Sequence, residues 1–288
     1  MTPQRNIVFV GGPESGKSNY LFRSWLAIER ETGMLVKNGL PSDVDYLHEG
    51  ATSLLDGKFA PHTSRDTRKI CDIPIHGRSA PRSESTLVVP DASGEVWLDV
   101  FQKREWPASW DELISRDSGF LVFVRAAAPN NIPALDWIAC EKAYGRTERR
   151  VAPTPGLPTQ VLLVDWVQIL RSIVDRRVGR SFVPRLSVVI TAWDSIPGDR
   201  QQSSPQDYLE AEFPLFGQFI RAGCHGFDSN VFGVSVLGGD PDRDGEFRSE
   251  LLTRGPAIAG YSVASQHRGA ERIDDVLSPI YWALGMDQ

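Results

Sequence analysis

The sequence predicts an α/β fold in which a mostly parallel, doubly wound sheet lies between two layers of helices. Three observations carry this expectation. Short β-branched runs at Asn6–Val10, Thr86–Val89, Phe120–Val124, Leu186–Thr191 and Val231–Val236 read as buried strands. Stretches of helical periodicity lie between them, and the alternation of the two implies parallel strands joined by crossover helices. Of the 288 residues, 41% are hydrophobic and 24% charged, which is enough apolar material for a sizeable core and excludes an intrinsically disordered chain.

The elements follow in order. Asn6–Val10 is strongly apolar from Ile7 onward and gives way to glycines, so it is a short interior strand. Leu21, Trp25 and Ile28 then recur at helical spacing, as do Val167, Leu170 and Val174 in the middle of the chain. Ile273, Val276, Ile280 and Leu284 predict one terminal helix. No repeat and no sharp shift of composition divides the chain, so residues 1–288 read as one domain, with polar insertions at about 37–85, 130–160 and 238–272. Arg146–Arg150 and the PxxP spacing at Pro155–Pro158 suit a docking patch, but such short patches are far more often solvated loop.

Net charge is −6, so the chain as a whole does not attract nucleic acid or anionic lipid, and no nucleic-acid partner is expected. Cys71, Cys140 and Cys224 show neither CxxC spacing nor an even count, which fits a reducing compartment. Four strongly apolar residues near the N-terminus are too few for a signal peptide, and no apolar stretch approaches the length of a transmembrane segment. These points predict a cytoplasmic location. The five histidines lack paired metal spacing, and neither GxSxG nor GxGxxG occurs in a useful context.

Gly11-Gly12-Pro13-Glu14-Ser15-Gly16-Lys17-Ser18 matches GxxxxGK[ST] in full, between a predicted strand and a predicted helix. That context makes it a strong phosphate-binding signal. Glycines permit the tight loop, backbone amides and the helix N-terminus cradle phosphate oxygens, Lys17 reaches the β- and γ-phosphates, and the Ser18 hydroxyl can bind Mg²⁺. The expected cradle is Gly12 to Asn19. Pro13 and Glu14 are unusual in it, because an acidic side chain beside a triphosphate must point away.

A second motif, Leu87-Val88-Val89-Pro90-Asp91 followed by Ala92-Ser93-Gly94, joins a hydrophobic strand to DxxG. Asp91 is the candidate to hold Mg²⁺ through water, and Gly94 the candidate whose amide senses a γ-phosphate. Val161–Asp165 has a similar form but lacks the glycine and continues as a helix, so Asp91 ranks above Asp165. The third motif, Thr191-Ala192-Trp193-Asp194, ends a predicted strand. Asp194 there can accept from guanine N1 and N2, donors that adenine lacks, and the competing role is a helix N-cap.

In this order, Gly11–Ser18, Asp91–Gly94 and Thr191–Asp194 resemble the signature of P-loop GTPases of the translation-factor-related (TRAFAC) class. The resemblance implies a three-layer α/β/α P-loop NTPase fold, bound GTP or GDP, Mg²⁺, and a backbone contact to guanine from Ser235 and Val236. More narrowly, Leu55–Thr63 and the Thr-Ala-Trp-Asp form look like the double-GTPase group of bacterial conflict systems. That likeness implies a defence role and a second GTPase or GTPase-associated protein as partner. It also implies a first-switch threonine that binds Mg²⁺; Thr63 is the candidate, with Thr52 and Thr67 as rivals, and Arg65 and Arg68 are weaker candidates for a cation on the leaving phosphate.

Two departures qualify the implied chemistry. Glu95 follows Gly94 where many relatives carry a water-orienting Gln, and Ala192 stands where a Lys stem often covers the base. The expectation is a GTP-binding switch with Mg²⁺-dependent hydrolysis that is slow or partner-activated, involving Lys17, Thr63, Gly94 and Glu95. The alternatives are a catalytically silent nucleotide-bound module and an ATPase on the same fold.

Overall fold

Ile7, Val8, Phe9 and Val10 are all buried, and a strand apolar on both faces needs a layer of structure on each side. The computed structural model describes residues 4–61, 68–92, 94–129, 131–132, 157–198, 201, 203–223, 226–266 and 269–286. In it, β1 (Gln4–Val10) lies inside a nine-stranded sheet of order β2-β3-β4-β1-β5-β6-β7-β8-β9. The central five strands are parallel: β4 (Ala80–Ala92), β1, β5 (Gly119–Arg125), β6 (Arg185–Thr191) and β7 (Asp228–Ser235). Antiparallel strands extend both edges, β2 (Leu35–Lys37) and β3 (Arg68–Gly77) on one side, β8 (Tyr261–Gln266) and β9 (Gly269–Ile273) on the other.

Alternate residues of β1 enter separate cores. Ile7 and Phe9 pack under α1 (Lys17–Glu29), α2 (Val44–Leu55) and α9 (Ser278–Ala283), where Phe9, Tyr20 and Phe123 meet with ring centroids 5.0–5.8 Å apart. Val8 and Val10 enter the opposite core with α3 (Gly94–Lys103), α4 (Ala108–Asp111) and α5 (Thr159–Arg177). Two short helices, α6 (Pro205–Glu212) and α7 (Pro214–Arg221), complete that layer. The architecture is the expected three-layer α/β/α fold. β1 has partners on both sides, β4 and β5, so the loop after it opens into the crevice where strand order reverses, the usual ligand position in such sheets.

The predicted terminal helix requires correction. Ile273 closes β9, opposite Ser262, and α9 covers only Ser278–Ala283. Asp275 shapes the turn between them by accepting from Met34 N and Leu277 N, and Pro279 sits in the first turn of α9, where its missing amide hydrogen costs no helical bond. Two stretches read as polar insertions also hold regular structure. Asp43 accepts from Tyr46 N to cap α2, and Asp244 accepts from Phe247 N to cap α8 (Gly245–Arg254), so residues that signal loops in a sequence serve here as helix starts. Residues 133–156, with the Arg146–Arg150 patch and Cys140, lie outside the described residues, as does Cys224.

Candidate functional site

The phosphate-loop motif closes into a concave turn between β1 and α1. Gly16 at the helix N-cap has φ 89°, and Glu14 adopts φ 59° and is exposed. Lys17 is 6% exposed and its ammonium donates to Gly11 O at 2.7 Å, Gly12 O at 2.9 Å and Ser15 Oγ at 3.2 Å. A buried ammonium with its three donors engaged is a cation held ready beneath the loop. Ser15 is buried, and Ser18 lies half-buried on the first turn of α1.

The DxxG segment meets this loop directly. A Cβ on Gly94 would stand 2.0 Å from Pro13 N and 2.3 Å from the Gly12 carbonyl carbon, so only a glycine lets the start of α3 rest on that peptide. Glu95 is half-buried on the first turn of α3. Behind it, Trp97 packs against Trp106, Trp110 and Trp166, and Trp166 Nε1 donates to Trp97 O at 2.9 Å. The edge of the Trp166 ring reaches to 3.5 Å from the Cβ position of Gly12. One indole of α5 therefore touches both the loop and α3. The backbone of Asp91 lies one residue before the end of β4, opposite Lys69, on the strand adjoining β1. Thr63, Arg65 and Thr67 lie outside the described residues, and Thr52 spends its hydroxyl on His48 O within α2.

Thr191 joins the third motif to the first. Its Oγ1 donates to Ser15 O at 2.8 Å, and its side chain fills the space beside Gly16. Ala192 takes a left-handed conformation, after which Trp193 turns into the core against Tyr208, and Asp194 sits half-buried within the 3₁₀ turn Trp193–Ser195. Asp194 is thus one residue inside a turn rather than at a helix N-cap. Ser235 ends β7 fully buried, its Oγ accepting from Gly238 N at 2.9 Å, and Val236 follows it half-buried. These residues share the carboxyl edge of the parallel strands.

Asn19 faces elsewhere: its Oδ1 accepts from Ala60 N at 2.9 Å, tying the segment after α2 to α1. Asp165 is on the body of α5, ion-paired with Arg104. Sequence reasoning missed the parts played by Thr191 Oγ1 and Trp166, since their contacts join residues far apart in the chain and no local pattern marks them.

The Double-GTPase 1 family matches residues 8–283, from β1 into α9, a span that includes all three motifs. No curated protein matches the sequence. Among solved structures, the signal recognition particle receptor SRb-GTP/SRX complex from Chaetomium thermophilum is 11% identical, with 87% of this chain and 99% of that chain covered and a TM-score of 0.40. The S. cerevisiae Ski7 GTPase-like domain bound to GDP and inorganic phosphate is 14% identical, with 82% of this chain and 43% of that chain covered and a TM-score of 0.43. With the motif-bearing loops at one edge of a P-loop fold and a family match over nearly its whole length, the chain belongs to the Double-GTPase 1 family and is a GTP-binding protein of the GTPase class.

Proposed function

We propose that this chain is a molecular switch that binds and hydrolyses GTP with Mg²⁺. The contact of Gly94 with the Gly12–Pro13 peptide carries the reading, because it puts the amide-bearing start of α3 beside the loop that would hold the phosphates. Lys17 and the amides after Glu14 hold the phosphates, Gly94 responds to the γ-phosphate, and Asp194 with the Ser235–Val236 backbone reads guanine. Ser18, through its hydroxyl, and Asp91, through water, would hold Mg²⁺ beside the phosphates. Held there, it would supply positive charge against the negative charge that develops on the phosphates. Thr63 remains the proposed first-switch threonine.

The single-domain reading, the cytoplasmic location, the bacterial-defence role and the partner GTPase belong to the same proposal, with the double-GTPase likeness as their support. Among the described residues no helix is long and apolar enough to cross a membrane. Glu95 favours a second reading, a nucleotide-bound module without turnover, because an anion on the first turn of α3 is poorly suited to developing phosphate charge. Single-turnover phosphate release from GTP, with and without candidate partners, separates the two. Release under any condition supports the switch; tight GTP binding with no release under all of them supports the silent module. Displacement of labelled GTP by ATP at equal concentration would overturn guanine selectivity.

A further inference from the structure

The hairpin β8–β9 and the loop before it belong to no motif, yet Gly260 and Tyr261 lie directly against the Ser235–Val236 segment and Tyr261 is within electrostatic reach of Asp194. Gly260, at φ 87°, lies so close behind the loop after β7 that a Cβ would stand 2.5 Å from Val236 O and 2.8 Å from Ser235 O. Its neighbour Tyr261 opens β8 in register with Ser235, and the Asp194 carboxylate is near enough to help push the Tyr261 hydroxyl pKa upward, after burial as the larger cause. On the other side, Ala259 O accepts from both Nε (2.9 Å) and Nη2 of Arg23, which projects from α1 six residues beyond Lys17.

Arg23 is an expensive residue for this task. It is 3% exposed, and Nη1 has no hydrogen-bond partner among the described residues. Burial lowers the guanidinium pKa to about 10, partly offset by the charge of Asp275. An apolar chain of similar length would avoid that desolvation. Beside Arg23 a crevice of about 290 Å³ reaches Ala27, Ile258 and Val276, so packing leaves one side of this loop open, and the guanidinium supplies the hydrogen bonds that tie Ala259 O to α1.

We propose that Ala259–Tyr261 is a positioning bracket for base recognition, held by Arg23, which fixes the Ser235–Val236 backbone and Asp194 relative to the helix that begins at the phosphate loop. The bracket rests on the GTP-binding reading and deepens it by assigning base selectivity to four residues outside the motifs. It acts through the base-reading groups rather than on the nucleotide, so it affects only ligands that carry a base.

The test compares GTP and inorganic tripolyphosphate on the full chain with Mg²⁺, by calorimetry, for wild type, Arg23→Met, Arg23→Lys and Gly260→Ala. Arg23→Met and Gly260→Ala approach the same contact from opposite sides. Each is expected to weaken GTP about tenfold, the effect of one misplaced hydrogen bond, while tripolyphosphate affinity is unchanged. Arg23→Lys, which keeps one donor toward Ala259 O, recovers part of the loss. GTP affinity within twofold of wild type in both variants overturns the bracket, as does an equal loss of GTP and tripolyphosphate. Wild-type protein that binds tripolyphosphate and discriminates no purine triphosphate overturns the base-recognition reading itself, a distinguishable result.

Discussion

Gly94→Ala tests the contact on which the proposed switch depends. The added methyl would stand 2.0 Å from Pro13 N, where about 3.5 Å is ordinary contact, so α3 must retreat by about 1.5 Å. It cannot do so freely, because Trp97 on its first turn is packed among three other indoles and accepts from Trp166. Overpacking of this kind costs about 1–3 kcal/mol. For a chain of this size each kcal/mol lowers Tm by about 2–4 °C. Misplacing the Gly94 amide by more than 1 Å should slow GTP hydrolysis by about 10²-fold. GDP lacks the phosphate that this amide would meet, so GDP affinity should stay within a few-fold of wild type. Differential scanning calorimetry and single-turnover hydrolysis read the two effects. A variant with wild-type Tm and wild-type turnover would show that α3 does not rest on the loop in solution and that Gly94 is not the sensor.

Three further outcomes are expected. Lys17→Ala removes an ammonium whose charge-assisted hydrogen bonds are worth about 1.5–3 kcal/mol each, so calorimetry should show at least about a 10²-fold loss of GTP and of tripolyphosphate alike. Asp194→Asn should weaken GTP and favour xanthosine triphosphate, whose C2 carbonyl suits an amide donor; an unchanged preference in competition binding rejects the assignment. Burial, reinforced by Asp275, raises the Tyr20 hydroxyl well above its ordinary 10.0, so the stability it contributes is complete below pH 10 and is lost as pH rises past the unfolded-state value toward the folded one. Tyr20→Phe should therefore lose stability less steeply than wild type in denaturant titrations above pH 10, at the cost of the hydrogen bond to Val276 O at all pH values.

Elements whose causes are local were legible in the sequence. The central strands announce themselves as unbroken apolar runs because both faces are buried, and the phosphate loop because its conformation demands particular residues at fixed spacing. The edge hairpin escaped notice for the converse reason. β9, Gly269–Ile273, is exposed over Ala270–Arg272 and reads as polar loop, while Ile273, Val276 and Ile280 imitate helical spacing across a strand end, a turn and a helix. The contacts that assemble the site are long-range. Thr191 meets Ser15 across 176 residues and Arg23 meets Ala259 across 236, and nothing in either neighbourhood marks the pairing. Arg23 reads as a charged break in an apolar helix face; only the tertiary structure shows that the charge is buried and turned to a carbonyl.

The two residues that looked least suited to a phosphate loop are explained by its backbone. Pro13 has no amide hydrogen, so residue 13 cannot donate to phosphate, and the cradle's donors must come from Glu14 onward. Gly94 packs against the face of that same Gly12–Pro13 peptide. The first half of the loop thus serves as a contact surface for α3, and in the proposed function the second half would serve the anion. Glu14 holds a left-handed conformation that costs a non-glycine residue on the order of 1 kcal/mol or more, and it is exposed while its backbone follows the concave turn. An anion at this position is tolerable in the proposed cradle because the residue is exposed to solvent, which screens its charge. In the proposed switch, the position of α3 and occupancy of the cradle would be coupled through this one short peptide, whose two sides they would share.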